Sequence, residues 1–156
     1  HVMQRMSVDV ETTADSITVS RSGKLESFDI QTLPYPGFPT DLQAQFMVLS
    51  ILANGTSVIT ENVFENRFLF ASEITRMGAD IRIEDHHAFI KGIDELSGAP
   101  VVSPDLRGGA ALVLAGLAAE GETIVSEIHH IDRGYESFVE KLMAVGAHLE
   151  RGERVL

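Results

Sequence analysis

The chain has 156 residues, 44% hydrophobic and 22% charged, which suits one folded domain with an interior of its own. Its formal net charge of −11 argues against nucleic acid or an anionic membrane surface as partner, although a site within it can still be locally basic. Cysteine is absent and the apolar runs are short, so we expect no disulfide, no membrane span and, at His1–Asp9, no secretory leader; a reducing cytoplasm fits.

In chain order, Met3–Met6 reads as a helix end, and Val8–Glu11, Ile17–Ser20 and Phe28–Gln31 read as strands. The loop Leu33–Pro39 is aromatic and proline-rich. It leads into Pro39-Thr40-Asp41-Leu42 and an apolar helix to Ala53, closed by Asn54-Gly55. A strand at Ser57–Thr60, a polar loop with Arg67 and a helix over about Phe68–Met77 follow. Asp80–Ile83 and Ala88–Lys91 form a hairpin turning near Asp85, and Ala99–Val102 is a further strand. Pro104-Asp105-Leu106-Arg107 then precedes a second apolar helix, Ala110–Ala119, closed by Glu120-Gly121. The tail reads as strand Thr123–Ser126, a loop with Arg133, helix Glu136–Val145 and strand His148–Arg151.

This order repeats itself. Asp41 and Asp105 lie 64 positions apart; Gly55 and Gly121, like Arg67 and Arg133, lie 66 apart. Met77-Gly78-Ala79 returns as Val145-Gly146-Ala147, and Met3–Met6 with Val8–Glu11 matches Ile74–Met77 with Ile81–Glu84. We therefore divide the chain into the end of one unit (1–38), a second unit (39–103) and a third (104–156), and expect a piece of a longer protein. The helices Leu42–Ala53 and Ala110–Ala119 are apolar nearly all round and should be buried, while the other two carry charge on one face. Together these predict an α/β fold with internal pseudo-symmetry.

Asp41 and Asp105 fall at or near the starts of the apolar helices, where Asp is a favoured cap. The loop before Asp41 is elaborate for a simple cap, and an ionised Asp there can also take a proton from a hydroxyl. Arg107 opposes the helix dipole and precedes Gly108-Gly109, so it is either half of a weak surface pair with Asp105 or an anion ligand beside free N–H groups. Arg67 and Arg133 sit in strand-to-helix loops, either solvated or placed for a ligand. Neighbouring histidines in a strand point apart, so we expect no metal at His86-His87. No glycine-rich phosphate or dinucleotide motif is present, and no cofactor is expected.

The strings PYPGFPTDLQAQF, VFENRF, RMGA, SPDLRGGAALVLAGL and HIDRGYE resemble the UDP-N-acetylglucosamine enolpyruvyl transferases, over nearly the whole chain from Met3 onward. That resemblance implies β-α-β-α-β-β units repeated around buried helices, of which this chain would hold part of one domain. It implies transfer of the enolpyruvyl group of phosphoenolpyruvate to a sugar hydroxyl, with phosphate released, early in peptidoglycan precursor synthesis. It further implies that Asp41 binds that hydroxyl and acts as its base, and that Val63 and Phe64 line the nucleotide-sugar site. Arg107 and Arg133 would grip phosphoenolpyruvate, with Arg67 and Asp105 near the reacting centre. The family's mobile loop with its proton-donating cysteine and an N-terminal lysine have no counterpart here, so the isolated chain should be inactive and prone to self-association through uncovered apolar surface. The sister enzymes acting on shikimate phosphate, or a non-catalytic nucleotide-sugar-binding module, are the alternatives.

Overall fold

A computed structural model describes residues 1–152; the end of the third unit, 153–156, lies outside the described residues. The first part contains helix α1 (Val2–Arg5), the hairpin β1 (Asp9–Thr12) and β2 (Ile17–Ser20), and the short strands β3 (Leu25–Glu26) and β4 (Ile30–Gln31). A 3₁₀ turn at Thr40–Leu42 runs into α2 (Gln43–Ile51), followed by β5 (Ala53–Asn54), β6 (Thr56–Thr60) and α3 (Ala71–Arg76). Next come β7 (Asp80–Glu84), β8 (His87–Lys91), β9 (Leu96–Ser97) and β10 (Pro100–Val102). The last part holds α4 (Leu106–Ala118), β11 (Ala119–Glu120), β12 (Ile124–Ser126), α5 (His129–Asp132) and α6 (Phe138–Ala144).

The centre is α2 packed on α4. Around α2 the sheet runs β4-β6-β8-β7, with β4 parallel to β6 and the other neighbours antiparallel. Ile59, Ala88 and Ile90 turn their side chains from this sheet into the core, where Met47, Ile51, Phe70, Ile74 and Met77 are also fully buried. Burial of each of the larger of these side chains contributes about 1.5–3 kcal/mol. Glycine allows the tightest approach: a β-carbon on Gly92 would lie 1.7 Å from the Ala53 carbonyl oxygen.

The repeat is visible in backbone hydrogen bonds. Three helix ends share one reverse turn, in which Val8, Ala79 and Ala147 N–H donate to the carbonyls of Met3, Ile74 and Leu142. The turn residue is left-handed each time: Ser7 (φ 62°), Gly78 (φ 97°) and Gly146 (φ 95°). Parallel pairs also recur, β3 on β5 and β9 on β11, then β4 on β6 and β10 on β12.

Several expectations change. Helix α4 begins at Leu106 rather than Ala110, because Asp105 caps it by accepting from Arg107 and Gly108 N–H. Burial covers 108–112 and Ala115 but does not reach its end, where Leu117 is 39% exposed. Helix α3 is shorter than Phe68–Met77, since 63–70 form turns, and α5 replaces the expected loop at His129-His130. His148–Arg151 is not a strand; its counterpart β7 takes its ladder from β8, and no described strand stands beside this segment. The two histidine pairs do not point apart either. His86 is in a turn and His129-His130 in a helix, and the rings lie side by side with centroids 4.0 and 4.1 Å apart. No cluster of three or more metal-ligating side chains occurs, and no helix is long and apolar enough to cross a membrane, among the described residues.

Met77 is fully buried whereas its counterpart Val145 is 81% exposed. Met77→Ala should therefore cost about 2–5 kcal/mol, and Val145→Ala less than about 0.5 kcal/mol, in urea unfolding of the chain.

Candidate functional site

The site lies where the first turns of the two central helices meet. The 3₁₀ turn before α2 carries Asp41, and the first turn of α4 carries Arg107. Asp41 Oδ2 accepts from Arg107 Nη2 at 3.0 Å, and its Oδ1 accepts from Arg67 Nη2 at 3.1 Å. Two guanidiniums thus serve one carboxylate, with Glu61 and Asp105 close by on Thr40 and on the Arg107 N–H. The Asp41 pKa is lowered, chiefly by the hydrogen bond from Arg107, against a smaller opposing effect of burial. The Arg107 pKa is raised in turn, first by Asp41 and then by Tyr135.

Each arginine is held on a second side. Arg107 Nη1 donates to the Tyr135 hydroxyl at 3.1 Å, and its guanidinium lies 5.6 Å from that ring's centroid. Arg67 is nearly buried, donates from Nε to Thr40 Oγ1 at 3.2 Å, and lies 4.4 Å over the Phe64 ring. Val63 and Phe64 are half-exposed, and with Arg67, Leu69 and Ile83 and the acidic Glu65 and Asp85 they line an open groove of about 600 Å³. The exposed apolar side chains of this wall suit a ligand with a ring, and Arg67 at its end supplies a cation among the acids.

Glu61 organises this corner. It is 5% exposed and accepts four hydrogen bonds: from Thr32 Oγ1 (2.8 Å), Thr40 Oγ1 (2.9 Å), and the N–H groups of Val63 and Phe64 (2.9 Å each). One carboxylate thus ties the end of β4, the turn with Asp41 and the loop with Arg67 together. Glu61, Thr40 and Tyr135 were not singled out from the sequence. A lone acidic residue directly after the neutral strand Thr56–Thr60 was the available signal for Glu61.

Asp41, Arg67 and Arg107 are therefore gathered, with Val63 and Phe64 beside them. Asp105 is adjacent but its Oδ1 is committed to the N–H groups of Arg107 and Gly108, at 2.8 and 2.9 Å. This overturns two expectations at the start of α4. Arg107 pairs with Asp41 and not with Asp105, and the helix N–H groups that were to meet an anion are already capped. Gly108 and Gly109 do not expose backbone either: β-carbons there would fall 2.8 Å from Phe70 and 2.1 Å from Ser103 Oγ. The positive charge at this corner is carried by guanidiniums and not by open helix N–H groups. Arg133 follows α5 and is exposed, and its side chain makes no hydrogen bond or ion pair among the described residues.

Two outcomes follow. Folding holds Asp41 below its ordinary pKa of 3.8, so the unfolded carboxylate protonates first as pH falls. The stabilisation is complete above that value and is lost on acidification through the folded pKa. Arg107→Ala should raise the Asp41 pKa in a carboxyl NMR titration and flatten that acid limb. Glu61→Ala should cost about 2–4 kcal/mol in thermal unfolding, because it strands buried donors.

Comparison with known proteins gives a consistent result. A profile described as EPSP synthase (3-phosphoshikimate 1-carboxyvinyltransferase) matches residues 1–142. The UDP-N-acetylglucosamine 1-carboxyvinyltransferase of Maricaulis maris is 53% identical over 150 residues, covering 96% of this chain and 36% of the relative. A Carboxydothermus hydrogenoformans protein, UDP-N-acetylglucosamine 1-carboxyvinyltransferase 2, is 59% identical over 137 residues, covering 88% of this chain and 33% of the relative. Among solved structures, the enolpyruvyl transferase NikO from Streptomyces tendae aligns with TM-score 0.86 and 33% identity, over 94% of this chain and 34% of that one. EPSP synthase from Acinetobacter baumannii aligns with TM-score 0.69 at 21% identity, over 97% of this chain and 36% of that one, a likeness of fold. The chain spans about a third of the length of the curated relatives it matches.

Proposed function

This chain belongs to the EPSP synthase family of enolpyruvyl (carboxyvinyl) transferases, and on that premise we propose that it supplies one wall of an active site that joins phosphoenolpyruvate to UDP-N-acetylglucosamine. The observation that carries this reading is Asp41 held between Arg67 and Arg107. Phosphoenolpyruvate is a small polyanion, and Arg107 can exchange its bond to Asp41 for one to a phosphate or carboxylate oxygen. Losing that partner raises the basicity of Asp41 as the anion arrives. The freed oxygen then accepts the hydrogen of a sugar hydroxyl and takes its proton.

The hydroxyl oxygen bonds to C2 of phosphoenolpyruvate while C3 gains a proton from a group outside these residues. Elimination then removes a proton from C3 and breaks the C2–O bond to phosphate, restoring the double bond and releasing phosphate. Arg67 holds Asp41 throughout, and Arg133 is a second phosphoenolpyruvate ligand. Val63 and Phe64 face the nucleotide sugar, and Asp105 keeps the Arg107 turn in place. The product feeds peptidoglycan synthesis in the cytoplasm, and through it cell shape and the division cycle. The groove beside Arg67 is open to solvent and cannot by itself exclude water from the reaction, so the chain alone should be inactive.

A shikimate phosphate acceptor is less supported, since the relatives above half identity carry the UDP-N-acetylglucosamine name and the EPSP synthase structure is 21% identical. A non-catalytic module has no need of a carboxylate between two guanidiniums.

In the full-length protein, Asp41→Asn should lower turnover by about 10²–10⁴, read by phosphate release with UDP-N-acetylglucosamine as acceptor. Arg107→Ala should raise the KM for phosphoenolpyruvate while leaving nucleotide-sugar binding by titration nearly unchanged. Wild-type turnover for Asp41→Asn, or equal loss for both ligands in Arg107→Ala, contradicts the assignment.

A further inference from the structure

The segment after α5 carries Tyr135 to Arg107, and its other contacts explain how it is held there. Tyr135 N–H donates to the carbonyl of Ile131, a buried residue of α5, at 3.0 Å. Gly134 packs against Leu106 in the first turn of α4, where a β-carbon would come within 2.7 Å of the leucine side chain. The Tyr135 ring lies against Phe138 with centroids 5.0 Å apart. Backbone, glycine and ring contacts thus fix the side chain, and its hydroxyl is the part that reaches the charged site.

That hydroxyl stands in a closed loop of hydrogen bonds. It accepts from Arg107 Nη1 at 3.1 Å, so its own hydrogen can serve a second partner. Gln45, in the first turn of α2, is that partner. With its amide oxygen toward the tyrosine, at 3.4 Å, the Gln45 nitrogen donates to the Asp41 carbonyl at 3.0 Å and to the Leu42 carbonyl at 3.3 Å. Arg107 Nη2 donates to Asp41 Oδ2 and completes the loop. The internal repeat shows what is special here. Counted 66 residues back, Arg133 corresponds to Arg67 and Tyr135 to Leu69. In the second unit the loop arginine grips Asp41, at the helix start of its own unit. In the third unit the equivalent helix start carries Arg107, which another arginine would repel. Tyr135, two residues beyond Arg133, takes that place with a neutral acceptor, whereas Leu69 is 59% exposed and offers no hydrogen-bonding group.

We propose that Tyr135, braced by Gln45, is a positioning residue for phosphoenolpyruvate: it holds Arg107 at Nη1 while Nη2 passes from Asp41 to the arriving anion. This rests on the reading above that Arg107 takes that anion. A guanidinium that left Asp41 with no other tether would turn on a long flexible stem, and each anion bound would have to order it again. A tyrosine hydroxyl suits the task because it accepts a hydrogen bond and carries no charge. A carboxylate in its place would hold Arg107 and repel the anion. Through Gln45 the same hydroxyl is tied to the turn that carries Asp41, so the two groups that exchange partners keep their spacing.

The test is made in the full-length protein. Tyr135→Phe keeps the ring against Phe138 and removes the hydroxyl alone. It should raise the KM for phosphoenolpyruvate about tenfold, through loss of one hydrogen bond to a charged group. The fall in kcat should be no more than about threefold, and nucleotide-sugar binding by calorimetric titration should stay the same. Gln45→Leu, which removes the brace and leaves the hydroxyl, should raise the same KM by a smaller factor. In an Arg107→Ala background, Tyr135→Phe should change that KM by less than about twofold, because the hydroxyl acts through the arginine. An unchanged KM for phosphoenolpyruvate in Tyr135→Phe or in Gln45→Leu overturns the proposal, and so does equal loss for both ligands, the mark of a structural role alone. Independent effects of Tyr135→Phe and Arg107→Ala overturn it too, and leave the reading of Arg107 standing. An Arg107→Ala protein with an unaltered KM for phosphoenolpyruvate overturns both.

Discussion

A carboxylate that serves two guanidiniums constrains everything near it. Asp41 must present both oxygens to opposite sides, so the 3₁₀ turn carrying it has to stand between the loop of Arg67 and the first turn of α4. That placement requires α2 and α4 to lie close, and Gly108 and Gly109 seat the first turn of α4 against Phe70 and Ser103, where a β-carbon would clash. It also requires the turn itself to be fixed, which the buried Glu61 does through Thr40. The packing of small residues and the placing of charges are one requirement seen at two levels. A shift of the helices by an ångström would lengthen the ion pairs beyond hydrogen-bonding distance.

The duplicated scaffold puts opposite charges at equivalent places. Measured from the glycines that close the two central helices, the counterpart of Asp41 is Arg107, 66 residues on, and the counterpart of Asp105 is Pro39. Pseudo-symmetry brings two equivalent first turns face to face, and divergence of their residues turns that meeting into an ion pair. A symmetric pair of aspartates would repel there, and a symmetric pair of arginines would do the same.

Much of this was legible in the sequence, and the failures have physical causes. The hairpins and the central helices follow from apolar periodicity and glycine punctuation, and Ile17–Ser20 was placed to the residue. Asp41, Arg67 and Arg107 were named as candidates, but their mutual contacts were not, because pairing across 26 and 66 residues leaves no local pattern. The aspartates were aligned with each other despite an offset of 64 against 66 elsewhere, and those two residues were the sign that they are not equivalent. His148–Arg151 alternates like a strand, yet alternation supplies only the faces; the ladder must come from a neighbour. Tyr135 and Glu61 were overlooked because each acts on a residue distant in sequence, Tyr135 on Arg107 and Glu61 on Thr40.

The long separation of Asp41 from Arg107 has a meaning in the time order of synthesis. A ribosome adding about 5–20 residues per second delivers Arg107 roughly 3–13 s after Asp41, while Arg67 arrives sooner. During that interval the nascent chain holds Asp41 with one counter-charge at most, and the second central helix has not begun. The ion triad is therefore a late event, closed by the arrival of α4. A polypeptide arrested before that helix would have its β7–β8 hairpin and its Glu61 anchor but not the second guanidinium on Asp41. The same arginine that closes the triad stands in the first turn of the helix that completes the central pair.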